Sequence, residues 1–252
     1  MRRVAIRAFL ILGVLGAPLV QASDETAASK LVPFDAMTGT NLSLVRGVTD
    51  HYTLRREYPP EEFNASVAVF EYLFAHMDEC SALAKMAGLT KYSATLDADG
   101  RLRADDHAGA AGYILNVYSG AGKRVLYVEG TDHGVFDVRG RGVAIVDYRA
   151  RARGRIEYTR AVFVKVDNVV LAALAQLFSV FLRGTVDSHF AHVIRNPVML
   201  SQQAQTNPQK LLAEIEQLPV ADQQRLAAFA ALVRSNARAR LADTSLPPRS
   251  AH

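Results

Sequence analysis

The hydrophobic period changes twice along this chain, and that change limits the fold more than any other feature. Between Lys91 and Val166 the apolar residues alternate in short runs divided by turn residues, which is the pattern of β-strands. Before and after this block they recur every three or four residues, as on helices. The block opens with Lys91 to Leu96, turned by Asp97-Ala98-Asp99-Gly100 into Arg101 to Asp105. Gly112 to Tyr118 follows, then Ser119-Gly120-Ala121-Gly122 and the strand Arg124 to Glu129. Gly140 to Tyr148 and Arg155 to Val166 complete it, joined by the basic stretch Arg149 to Gly154. In the last strand Ile156, Tyr158, Arg160, Val162, Val164 and Val166 share one face, while Arg155, Glu157, Thr159 and Lys165 share the other. Consecutive strands joined by short turns imply an antiparallel, strongly curved meander.

Upstream, His51 to Arg56 reads as extended and is edged by Pro59-Pro60. Val69, Phe70, Leu73, Phe74 and Met77 mark a helix over 65–77, and a shorter helix runs from Ser81 to Ala87. Downstream, Asp167-Asn168 caps an unusually apolar helix, Val169 to Leu182, and Pro197 is expected to end the helical section that follows. The helix Val169 to Leu182 spans about 21 Å at 1.5 Å per residue, too short for a bilayer. Two tail helices are expected, Gln209 to Leu218 and Gln223 to Arg240, with residues 243–252 disordered. Residues 23–48 mix Ser, Thr, Gly and Asp around one apolar patch and read as a flexible leader.

The first 22 residues have another character. Arg2, Arg3 and Arg7 precede an uncharged apolar run, Ala8 to Val20, and then Gln21-Ala22 and a polar stretch. This is the pattern of a secretory signal peptide cleaved between Ala22 and Ser23, which implies export and, on this reading, the bacterial periplasm. Of 29 basic residues three leave with the signal, and none of the 25 acidic ones do, so the mature balance is +1. A balance so near zero argues against nucleic acid as a partner. Cys80 is the only cysteine, so no internal disulfide can form and a packed core must hold the domain.

Strand, two helices, about six or seven antiparallel strands and a long helix is an α+β, helix-grip order: a curved sheet around a long C-terminal helix, with extra C-terminal helices. Over residues 49–205 this resembles the START-like superfamily. The resemblance is carried by Glu61-Glu62-Phe63-Asn64 leading into Val69-Phe70-Glu71-Tyr72-Leu73, and by Val162-Phe163-Val164-Lys165-Val166-Asp167-Asn168 leading into the last helix. The helical tail, 206–242, has no counterpart in the minimal fold. The resemblance implies a cavity between sheet and helix that takes a hydrophobic small-molecule ligand. Tyr113, Tyr127, Tyr158, Leu174, Phe178 and Phe181 are the candidate lining residues, since tyrosine offers an apolar ring with a hydroxyl. Arg160, on the face of Tyr158, would then need an acidic partner or an anionic headgroup.

No nucleophile elbow, zinc-protease motif, P-loop or dinucleotide fingerprint is present. The histidine groupings are Asp187/His189/His192, Asp105-Asp106-His107 and Asp132-His133, each read as solvated helix face or turn chemistry. The leading reading is therefore a non-enzymatic binding or carrier protein with no cofactor and no metal, and transient membrane contact. Two alternatives stand beside it. One is a cavity enzyme of cyclase, isomerase or hydrolase type, with Glu129 or Asp147 as the acid-base group. The other is an envelope interaction module.

Overall fold

The computed structural model describes residues 25–105, 107, 109–133, 137–167 and 179–244. The expected signal segment, residues 1–22, and residues 168–178, which hold most of the expected apolar helix, lie outside them. Among the described residues the strands are β1 (Leu54–Asn64), β2 (Ser93–Leu96), β3 (Leu102–Asp105), β4 (Ala110–Gly120), β5 (Lys123–His133), β6 (Asp137–Arg151) and β7 (Arg155–Val166). They form one antiparallel sheet in the order β1-β7-β6-β5-β4-β3-β2. Six of the seven are a sequential meander, and β1 closes onto the last of them. Between β1 and β2 lie α3 (Val67–Ala75) and α4 (Met77–Met86); α5 (Ser179–Thr206) follows the sheet. The architecture is a helix-grip α+β fold.

Hairpin chemistry sets the register. Gly100 closes the β2–β3 turn at φ +79°, where its N–H donates to the Asp97 carbonyl. Arg153 and Gly154 take consecutive positive φ values, 63° and 66°, in the three-residue β6–β7 loop that Arg151 and Arg155 close. Bulges fall in β1 between Tyr58 and Glu61, where Pro59-Pro60 has no place in a ladder, and in β4 between Asn116 and Tyr118.

Three cores divide the molecule. The inner face of the sheet packs Phe63, Ile114, Leu126, Val146, Ile156 and Val162 against Phe70 and Phe74 of α3 and Val193, Ile194 and Val198 of α5. The opposite side of α3, Val69 and Leu73, packs with α4 and with the tail helices α6 (Pro208–Glu216), α7 (Val220–Arg225) and α8 (Ala227–Thr244) through Leu211, Leu226, Phe229 and Val233. Helix α3 is thus apolar around most of its girth because it is sandwiched.

The third core corrects the reading of residues 23–48 as a flexible leader. Residues 25–49 form α1 (Glu25–Leu31) and α2 (Gly39–Thr49), and Ala28, Val32, Met37, Val45 and Val48 cover the outer face of the sheet. That face presents Val117, Val125, Val143, Ile145 and Phe163, too much apolar surface to leave in water. Side chains tie the helices down. Asn41 donates to the Val117 carbonyl at 3.2 Å, Lys123 to the Leu31 carbonyl at 2.6 Å, and Lys165 to the Gly47 carbonyl at 3.0 Å.

Pro197 does not end the helical section either; it lies inside α5, which runs on to Thr206. An internal proline costs about 3 kcal/mol. Here Val193, Ile194, Val198 and Leu200 are buried on both sides of it, so tertiary packing carries the helix through the break. No helix among the described residues is long and apolar enough to cross a membrane.

Candidate functional site

Antiparallel register places inner-face residues in rows that cross the strands. At one end, Phe63 of β1 sits opposite Ile156 of β7. The next row is Glu61, Tyr158 and Tyr148; the next, Tyr58, Arg160, Val146 and Arg124. Then come Val162, Ala144 and Leu126, followed by Val164, Gly142, Val128, Ile114 and Leu102. The final row across β6, β5, β4, β3 and β2 is Gly140, Gly130, Gly112, Ala104 and Ala94.

The Phe63 end is sealed. Phe70 meets Phe63, Phe74 and Tyr148 with ring centroids 5.4, 4.9 and 5.1 Å away, and Phe63 meets Tyr158 edge-on at 5.4 Å. Behind this cluster lie two similar polar groupings. The Tyr158 hydroxyl donates to Glu61 Oε2 at 2.8 Å, Arg160 pairs with Glu61, and the Arg160 guanidinium lies over the rings of Tyr58 and Tyr158. The Tyr148 hydroxyl donates to Glu71 Oε1 at 2.6 Å, with Arg124 Nη2 3.7 Å from the same oxygen and its guanidinium over the Tyr148 ring. Arg124 Nη1 also holds the β4–β5 turn through the carbonyls of Gly120 and Lys123. Tyr148 and Tyr158 face each other across β6 and β7, so the two groupings form one polar belt.

Burial, and then hydrogen bonding to Glu61, pushes the Tyr158 hydroxyl up to about 12. Tyr148 is pushed up by burial and by its bond to Glu71. Tyr72 rises to about 12 through burial and its hydrogen bond to Glu79, and Tyr92 to about 12 through burial and the Cys80 thiol beside it. Each keeps its proton in the folded chain after the unfolded chain has lost it near pH 10. Their stabilising effect is therefore whole below pH 10 and falls as pH climbs toward 12. The expected result is a urea midpoint that drops across this window. Spectrophotometric titration should show these tyrosines ionising later than in the unfolded chain.

The opposite end of the inner face differs in kind. Val128, Val164, Ala104 and Ala94 pack against the inner core yet are only partly buried. Gly140, Gly130, Gly112 and Gly142 supply no side chain at all. A Cβ at Gly112 would meet the Glu129 carbonyl oxygen at 2.2 Å, and one at Gly130 would meet the Ala111 oxygen at 2.7 Å. The strands curl together so closely here that glycine alone fits. The result is a bent apolar floor without side chains to fill the bend.

The structure sorts the sequence candidates. Tyr158 and Arg160 lie on the inner face, and Arg160 has the acidic partner it required, Glu61. Tyr113 and Tyr127 do not line it. Tyr127 packs in the outer core, and Tyr113 sits opposite Glu129 on that same outer side. Strand alternation is the reason, since Ile114 and Leu126 next to them point inward. Leu174 and Phe178 lie outside the described residues. Phe181 falls in the first turn of α5, where side chains lie outside the described set, as do those of Asp187, His189 and His192. Glu129 and Asp147 also face outward. Glu129 accepts from the Tyr127 hydroxyl at 3.0 Å, whose own pKa rises to about 12 through burial and the Glu129 charge, and Asp147 pairs with Lys123 at 2.7 Å.

Sequence reasoning missed Glu61, Glu71, Tyr148 and Arg124 as a set. One signal was available: Glu71 is the only charged residue in Val67–Ala75. A further grouping appears where the β3–β4 connection meets the start of β2: Ser93 Oγ is 3.0 Å from His107 Nε2 and His107 Nδ1 is 3.5 Å from Asp105 Oδ1. Asp105 Oδ1 instead accepts from the His107 backbone N–H at 2.7 Å, and the imidazole is 58% exposed, which is turn chemistry. Cys80 is fully buried, and burial pushes its thiol up, away from reactivity.

No family model and no curated protein matches the chain. Among solved structures it is similar to a conserved protein from Geobacillus kaustophilus, at 16% identity and TM-score 0.40, over 57% of this chain and 95% of that one. It is similar to a START superfamily protein from Mycobacterium smegmatis at 14% identity and TM-score 0.36, over 58% and 97% of the two chains. A di-domain ARO/CYC protein, BexL of the BE-7585A biosynthetic pathway, matches at 10% identity and TM-score 0.37, over 62% of this chain and 53% of that one. The element order and sheet topology described above make the chain a helix-grip fold, and the likeness extends no further than that.

Proposed function

We propose that this chain is an exported, START-like binding or carrier protein that takes a hydrophobic small molecule at the glycine-rich end of its inner face. One observation carries the reading. On adjacent strands the final rows hold Gly140, Gly142, Gly130, Gly112, Ala104 and Ala94, beside Val128 and Val164, which stay partly exposed although they point to the core side. The sealed end fills this face with Phe63 and Ile156, whereas here Val128, Val164, Ala104 and Ala94 are the apolar side chains packed at the core's edge, and they are only partly buried. An apolar ligand there gains about 25 cal/mol for each Å² it buries and needs no catalytic group. The basic, apolar and polar segments of residues 1–25 support export.

Titration with the fluorescent fatty acid cis-parinaric acid tests the site. Val128→Trp, which fills the floor, is expected to weaken binding by roughly tenfold or more while leaving the unfolding midpoint close to that of the parent. Unchanged binding by this variant, or no binding by the parent, would overturn the proposal. Glu129 and Asp147, the acid-base groups expected for the enzymatic alternative, both face away from the inner side.

A further inference from the structure

The β6–β7 hairpin carries Arg149, Arg151, Arg153 and Arg155 at alternate positions, an arrangement the hairpin itself does not favour. Arg151 and Arg155 stand directly opposite each other in the ladder, and like charges in that position are destabilising. Arg153 occupies a turn position at φ +63° that Asn or Gly would fill at lower cost. A single carboxylate, Glu157, is shared by Arg149 and Arg151, and Arg155 pairs with Glu62 at 2.8 Å. The Arg149 and Arg155 side chains remain 62% and 48% exposed.

Folding brings a second basic element to this tip. A Cβ at Gly154 would meet the Gln205 side chain at the end of α5, and Arg240 of α8 donates to the Gln205 carbonyl. The Ala65 N–H donates to the Gly154 carbonyl, and next to it Ser66 Oγ bonds Asn236 Oδ1 of α8 at 3.1 Å. Arg240 therefore joins the hairpin arginines at one end of the molecule. Five guanidinium groups stand there against two carboxylates, Glu62 and Glu157, a balance of +3. The mature chain as a whole carries only +1, so this charge is concentrated. The apolar stripe of α8, buried at Phe229, Ala230 and Val233, runs on to Leu241, which is 69% exposed beside these arginines.

We infer that this end of the molecule is a docking surface for a membrane rich in anionic phospholipid. Arginine forks match phosphate oxygens, and an exposed leucine among them suits the headgroup boundary, which an acidic protein or a nucleic acid would not require. The surface lies at the sealed end of the sheet, so it stands whether or not the glycine-rich end holds a ligand.

The test is co-sedimentation of the full chain with vesicles. Vesicles of equimolar phosphatidylcholine and phosphatidylglycerol are expected to bind it about a hundredfold more tightly than phosphatidylcholine alone, the effect of about three net charges near an anionic surface. High salt should abolish the difference. The double variant Arg149→Glu/Arg153→Glu should lose the preference, and Leu241→Ser should weaken binding without changing its salt dependence. Circular dichroism confirms folding, with Arg149→Gln/Arg153→Gln as the milder pair. Equal binding to both vesicle types, full binding by the double variants, or retention by duplex DNA with none by vesicles would overturn the inference.

Discussion

Phe70→Ala is expected to destabilise the chain by about 3–5 kcal/mol, the cost of emptying a buried phenylalanine site. Phe70 is fully buried where α3 crosses the sealed end of the sheet. Its ring contacts Phe63, Phe74 and Tyr148 together, so truncation opens a cavity bounded by two strands and its own helix. Each aromatic pairing adds about 0.5–1.5 kcal/mol beyond the area buried. Loss on this scale is a large share of the roughly 5–15 kcal/mol that holds a typical domain together. Equilibrium urea unfolding measures it, with Phe70→Leu, which keeps four of the seven side-chain carbons, as the intermediate control, expected to lose less. A Phe70→Ala midpoint within error of the parent would mean that α3 does not seal the sheet.

The second large effect is expected from Val45→Asp. Val45 is wholly buried in α2, against the outer face of the sheet, among Val125, Val143, Ile145 and Phe163. A carboxylate there has no partner, and a charge buried without one costs about 3 kcal/mol or more. The chain avoids that cost by releasing α2, which uncovers the outer face. The expected outcome is a lowered urea midpoint together with strong binding of an apolar dye. An untethered leader would show neither change, so the experiment separates a packed N-terminal segment from a passive one.

The leader shows why part of this fold escaped a reading of residues in order. Its apolar positions, such as Val45 and Val48, are few and sit among Ser, Thr and Gly, so their own pattern is weak. The evidence for their burial lay elsewhere in the chain, in strands apolar on both faces. Val143-Ala144-Ile145-Val146 and Ala161-Val162-Phe163 cannot leave either side in water, so both sides must be covered. The same double-sidedness misplaced Tyr113 and Tyr127. Alternation showed which residues share a face, but not which of two apolar faces looks toward α3 and α5.

Local chemistry was sufficient for the elements themselves. The period-two block, its Gly-containing turns and the amphipathic stretches around it set seven strands and their antiparallel order, because strand and helix periods and hairpin turns act over a few residues. Tertiary structure alone decided what those elements touch. It covered the outer face with α1 and α2, carried α5 through Pro197, and joined Glu61 to Tyr158 and Arg160, and Glu71 to Tyr148. It also brought Arg240 beside the arginines of residues 149–155 at one end of the molecule. These contacts depend on distances between residues far apart in the chain, and composition and periodicity carry no measure of that distance.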